Sequence, residues 1–206
     1  WGAQLSSLGD AKLDAEDRDA LGYSAFTTHM LIALVRAMTQ VNDDGLLAVD
    51  SLRRFYAKVT RDTQSAIVHD ISKNWELGLD LPTFNAVLAA LRGRLAGIAK
   101  LANQLHGRTR SERDALLAQH SYIYIDAFES VSFGVEQFNA HINQPYRKWA
   151  LLFDELEIAP PRVRQALFSA LRSTNQNILF KLSISPYHQD AEILSLPTGA
   201  MPAQDF

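Results

Sequence analysis

One stretch limits the fold more than any other. From Lys148 the chain reads KWALLFDELEIAPPRVRQALFSALRSTNQNILFKLSISP. Trp149-Ala150-Leu151-Leu152-Phe153 is wholly apolar and stops at two adjacent acids, Asp154 and Glu155. An apolar run of this length without polar alternation predicts a strand buried on both faces, as in a parallel sheet. Pro160 and Pro161 mark a helix start, because proline in the first helical turn gives up no needed N–H. Val163, Leu167 and Leu171 follow at helical spacing, with Arg162, Arg164 and Arg172 off that stripe. Ser173-Thr174-Asn175 ends the helix. Ile178 to Ile184 is a second apolar run, interrupted by Lys181 and Ser183 and closed by Pro186. Strand, helix, strand in this order predicts two parallel strands joined by a right-handed crossover.

In such a sheet, ligands collect at the carboxyl ends of the strands. Asp154 and Glu155 follow one of those ends, Ser183 and Ser185 the other. An apolar strand followed by Asp-Glu is the Walker B pattern, and its chemistry needs that order. The first acid, fixed by the strand, holds a Mg²⁺ ion directly or through its water. The second carboxylate orients and polarises the water that attacks the γ-phosphate. A strand that merely ends in a solvated acidic turn accounts for the two acids equally well. Lys181 is unusual inside an apolar strand. By strand alternation it shares a face with Ser183 and Ser185. If buried, it needs a carboxylate, with Glu157 the foremost candidate; at a sheet edge it reaches water instead.

WALLFDELEIAP, LRSTNQNILFKLSISPY and the terminal GAMPAQDF resemble the ATPase core of a bacterial AAA+ family related to the origin-recognition (ORC/CDC-type) ATPases. That family carries a W-A-x-L-F-D-E-L-E-x-A-P block, then L-R-S-T and F-K-L-S-x-S-P. The resemblance covers about residues 148–206 well and the tract around FTTHMLIALVRAM weakly. It implies Mg²⁺ coordination at Asp154, a catalytic carboxylate at Glu155, and a nucleotide-sensing polar group at Ser183 or Ser185, with ATP and Mg²⁺ as cofactors. It also implies a switch module in a larger multidomain bacterial protein, working with other domains or subunits of an ATPase assembly, with genome defence as a setting. One departure stands out. The chain contains no G-x-x-x-x-G-K-[ST], the loop whose backbone N–H groups and lysine hold the phosphates. The expectation is therefore a fragment whose phosphate loop precedes Trp1, probed alone inactive as an ATPase, or else a degenerate ATPase fold serving as a scaffold.

The fold class expected is α/β: an incomplete three-layer P-loop NTPase core with a parallel sheet, plus a helical insertion. The whole of 1–206 is read as part of one AAA+ ATPase domain, with 48–118 the insertion and 120–206 the Walker B and sensor core. The 206 residues are enough for one sizeable core with a helical appendage, and a hydrophobic content of 47% makes disorder unlike this chain. The net charge of −3 gives no overall basic field for nucleic acid. The absence of cysteine excludes disulfide frameworks and fits a reducing, cytoplasmic compartment. No apolar run approaches the ~20 residues that span a bilayer.

The first 22 residues read as an irregular polar segment. Ser24 to Thr39 predicts a helix apolar round more than one face, with Ser24, Thr27 and Thr28 as candidate N-caps and a turn at Asn42–Gly45. His29 reads as a hydrogen-bonded structural residue. Helices follow over Asp50–Lys58 and Asp62–Trp75. Thr83 to His106 is the longest, and Phe84, Leu88, Leu91, Leu95, Ile98, Ala102 and Leu105 form a heptad seam. That seam closes either within the chain, against the short helix Ser111–Gln119, or on a partner. Gly93 and Gly97, off the seam, suggest close approach of another backbone. Arg92, Arg94, Lys100, Arg108, Arg110 and Arg113 make the region mildly basic, which supports nucleic-acid contact only weakly. Tyr122–Ile125 reads as a short strand, Phe133–His141 as a helix.

Overall fold

The first helix, α1, runs from Ala15 to Leu47. It starts well before Ser24 because Glu16 and Asp17 place carboxylates against the positive end of the helix dipole. Ser24, Thr27 and Thr28 are not caps. The hydroxyls of Thr27 and Thr28 donate to the carbonyls of Tyr23 (2.9 Å) and Ser24 (2.8 Å), one turn back. Nor does the chain turn at Asn42–Gly45, which lies inside α1. The structure is a computed structural model that describes residues 13–47, 59–78, 80–154, 159, 161–170 and 177–183. The helix expected over Asp50–Lys58 lies outside the described residues. The chain divides into two compact units, Trp1–Arg147 and Lys148–Phe206.

In the first unit α1 is the core. Leu21, Phe26, Met30, Leu31, Leu34 and Val35 are all buried, and only a narrow stripe through Ala33 and Arg36 is exposed in the middle of the helix. It packs against α3 (Phe84–Leu105), α5 (Ala127–His141) and the turn between α4 and α5. The helix α2 (Arg61–Asn74) is capped by Thr60, buries Ile67, Val68 and Ile71, and packs on α5 and α3. Every residue of the heptad seam on α3 is buried, so the seam closes within the chain. Its main partner is α1, not the following helix α4 (Arg110–Leu117). Gly93 and Gly97 admit no neighbouring backbone: an added Cβ at Gly93 would meet nothing within 4 Å, and at Gly97 only the Tyr122 hydroxyl at 3.6 Å.

The α4 helix is held by a capping box. The Thr109 hydroxyl accepts from the Glu112 N–H, and the Glu112 carboxylate accepts the Thr109 N–H at 2.9 Å. Arg113 ties this helix to the start of α1 through Asp14 and, at 3.3 Å, Asp17. Burial pushes the Asp17 carboxyl upward, and the Arg113 guanidinium pulls it partly back. Tyr122–Ile125 is not a strand. Ser121–Tyr124 forms a 3-10 turn, because Asp126 immediately caps α5 by accepting the N–H groups of Phe128 and Glu129, both at 2.9 Å.

Two residues at the end of α2 knit the unit together. Trp75 is fully buried and its indole N–H donates to the Ser130 carbonyl at 3.0 Å. Gly134 makes room for that ring: a Cβ there would lie 2.8 Å from Trp75 Cζ2 and 3.0 Å from Leu34 Cδ2. Arg94, one of the residues that make this region mildly basic in sequence, turns inward. It donates to the carbonyls of Trp75 and, at 3.1 Å, Glu76, and lies 4.9 Å from the Tyr122 ring centre. These carbonyls are left over at the helix end, and Arg94 satisfies them. Glu76 itself sits at φ +53°, and its carboxylate accepts the Ser121 hydroxyl.

His29, on α1, is half-buried, and burial pulls its imidazole below the ordinary histidine value. A depressed folded-state pKa favours the neutral ring. The stability this confers is present above the unfolded value of ~6.5 and is lost as pH falls through the folded value. Denaturant midpoints of the parent should therefore fall more between pH 7 and pH 5 than those of His29→Gln. Equal slopes in the two proteins would remove His29 as the source.

Candidate functional site

The second unit holds the stretch that organised the sequence reading. β1 (Trp149–Phe153) and β2 (Ile178–Leu182) are parallel neighbours, in register from Trp149 opposite Ile178 to Phe153 opposite Leu182. Between them comes α6 (Pro161–Ala170), which buries Val163, Leu167, Phe168 and Ala170. The strand–helix–strand order and the parallel pairing are as the sequence predicts. Burial differs. One face, carrying Ala150, Leu152, Leu179 and Lys181, is open, with Leu152 70% and Leu179 60% exposed. The expectation of strands buried on both faces is thus corrected for this pair: two strands offer too little surface to be covered twice by a single crossover helix.

Hydrogen bonds bracket the ladder. The Trp149 N–H donates to the Asn177 carbonyl, and the Ser183 N–H to the Phe153 carbonyl, both at 2.8 Å. Asp154 and Ser183 are therefore the first residues past the carboxyl end of each strand, on adjacent chains that run about 4.8 Å apart. Both are exposed. Glu155 and Ser185 lie outside the described residues, so the arrangement joins only Asp154 and Ser183. Lys181 is exposed and forms no ion pair among the described residues. Glu157, its expected partner if buried, is outside them too; the water-facing alternative matches the observed exposure. Arg164 of α6 is half-buried rather than wet, and donates to the Ala159 carbonyl. Pro160 and Pro161 supply no N–H there, so a side chain does.

Asp154 and Ser183 suit Mg²⁺ with a phosphate ligand. Mg²⁺ is commonly held by one or two carboxylates, with substrate phosphates and water completing its shell. Among the described residues no cluster of three or more acids or histidines could hold a metal ion. A cleft of about 350 Å³ opens elsewhere, in the helical unit, lined in part by Glu76, Ser121, Tyr124, Asp126 and Glu129. Two of its three acids are engaged: Glu76 by Ser121, and Asp126 as the cap of α5. No helix among the described residues is long and apolar enough to cross a membrane.

The chain matches the family model described as ORC-CDC6-like over residues 1–206. No curated protein and no solved structure matches it.

Proposed function

The chain belongs to the ORC-CDC6-like family, and from that premise we propose that it is an ATP-binding and ATP-hydrolysing AAA+ switch module with its nucleotide at the carboxyl edge of β1 and β2. The observation that carries the reading is the juxtaposition of Asp154 and Ser183 past the ends of two adjacent parallel strands. Bound Mg²⁺ would supply neutralisation of charge on the β- and γ-phosphates. Asp154 holds that ion, directly or through water. Glu155, one residue on, accepts a proton from the attacking water and orients it. Ser183, with Ser185 as its companion, donates a hydroxyl hydrogen bond to the terminal phosphate.

The proposed frame is a three-layer P-loop core within one AAA+ domain, with 48–118 as a helical insertion and 120–206 as the Walker B and sensor part. Under the same reading the module works in the cytoplasm, inside a larger multidomain bacterial protein and an oligomeric ATPase assembly, with genome defence as its setting.

The test is nucleotide titration of the complete protein with and without Mg²⁺. Asp154→Ala should abolish the Mg²⁺-dependent gain in ATP affinity, about tenfold or more for a lost charge-assisted contact. Asp154 is exposed at a strand end, so the melting temperature without nucleotide should hardly move. If the variant keeps the parental Mg²⁺ dependence, Asp154 is a solvated strand terminus and no more.

A further inference from the structure

Among the described residues of the two strands, the open sheet face carries one cation, Lys181, and its position connects it to the carboxyl edge. Leu152 pairs in register with Lys181, and Phe153 with Leu182. Lys181 thus stands two residues before Ser183 on β2 and diagonally across from Asp154 on β1. Two residues along a strand is about 6.6 Å, and a diagonal neighbour's Cβ lies about 7–8 Å away. A lysine stem spans most of that distance, so its ammonium can be delivered to the space above Asp154 and Ser183. Lys181 is exposed and makes no ion pair among the described residues. The rest of the face is Ala150, Leu152 and Leu179, which offer no polar partner. A cation on an apolar face turns toward the nearest polar edge, and here that edge is the carboxyl one.

We propose that Lys181 is a phosphate-binding residue, its ammonium contacting the terminal phosphate of the nucleotide held between Asp154 and Ser183. This rests on the ATP reading above. The charge inventory supports it. A nucleotide triphosphate brings several negative charges to an edge that already carries Asp154, followed in sequence by Glu155. A mobile ammonium in reach of that edge lowers the repulsion in the way a point-charge lysine commonly does for phosphates.

The experiment is titration of Mg²⁺-ATP and Mg²⁺-ADP into the complete protein carrying Lys181→Met or Lys181→Arg, beside the parent and Asp154→Ala. Lys181→Met should weaken ATP about 10- to 100-fold, the loss typical of one charged hydrogen bond, and ADP far less. Lys181→Arg should keep most of the ATP affinity. Melting without nucleotide should be the same in the parent and the two Lys181 variants, because the exposed side chain has no ion pair among the described residues to lose. Parental ATP affinity in Lys181→Met, alongside a lost Mg²⁺ response in Asp154→Ala, overturns the lysine assignment and leaves the ATP reading standing. Equal weakening of ATP and ADP overturns the terminal-phosphate contact. Absence of ATP binding in the parent overturns the ATP reading, and the lysine assignment with it.

Discussion

Glu155→Gln in the complete protein should slow ATP hydrolysis by about 10²- to 10⁴-fold, the range that a positioned general base supplies, with ATP still bound. Glutamine keeps the size and the hydrogen-bonding reach of glutamate. It cannot accept the proton that the attacking water must lose. Asp154, the carboxylate proposed to hold the ion, is untouched, so Mg²⁺-dependent affinity should stay near the parental value. A variant of this kind ought to accumulate in the ATP-bound state, and single-turnover measurements with labelled ATP would show it. Asp154→Ala fails differently, at the binding step, and the contrast between the two variants is what identifies an acid pair with divided roles. Parental turnover in Glu155→Gln would make the carboxylate a bystander.

Trp75→Ala should destabilise the helical unit by about 3–5 kcal/mol, the range for emptying a fully buried aromatic site. The indole is 0% exposed and sits over Gly134 in a gap that no other residue could leave open. Its removal also takes away the hydrogen bond from the indole N–H to the Ser130 carbonyl at 3.0 Å. Trp75→Phe separates the two contributions. It refills most of the space but loses the indole hydrogen bond, at a cost of about 0.5–1.5 kcal/mol. Urea denaturation monitored by circular dichroism gives both values. An alanine variant within 1 kcal/mol of the parent, well below the range for large core truncations, would mean that the surrounding helices close the gap.

The helices of the first unit were legible to different degrees, and the reasons are local. The seam on α3 reads directly because apolar residues recur at helical spacing and Thr83 supplies its cap, accepting the Ala86 N–H at 3.2 Å. The start of α1 was missed because the Asp14–Asp19 cluster looks like a solvated loop. In the folded chain Glu16 and Asp17 complement the helix dipole, and Arg113 reaches back to Asp14 and Asp17. By charge Arg94 counts toward a mildly basic region, but its position decides its role. It lies between Leu91 and Leu95 on the buried stripe, and only the leftover carbonyls at the end of α2 explain why a guanidinium belongs there. Burial also lowers its pKa, yet an arginine stays charged.

In the second unit, the parallel pairing follows from the order of apolar run, helix and apolar run. The placement of Asp154 beside Ser183 was implicit in equal strand lengths. What the residues did not reveal was the open face, because Leu152 and Leu179 look alike in sequence whether covered or not. The divided roles of Asp154 and Glu155 came from the motif and the family resemblance, not from burial or charge.

The broad burial of α1 has a consequence for synthesis of the chain. Its middle keeps only a narrow wet stripe, at Ala33 and Arg36 beside the half-buried His29, yet the helices that cover the rest come much later: Tyr23 meets Asp126 across 103 residues of sequence. At a ribosome speed of about 5–20 residues per second, α1 waits roughly 5–20 s before α5 has emerged. For that time a largely apolar helix stands without its shelter. Chaperone occupancy of nascent chains should accordingly be highest while the ribosome is decoding the segment between α1 and α5, and should drop once α5 clears the exit tunnel.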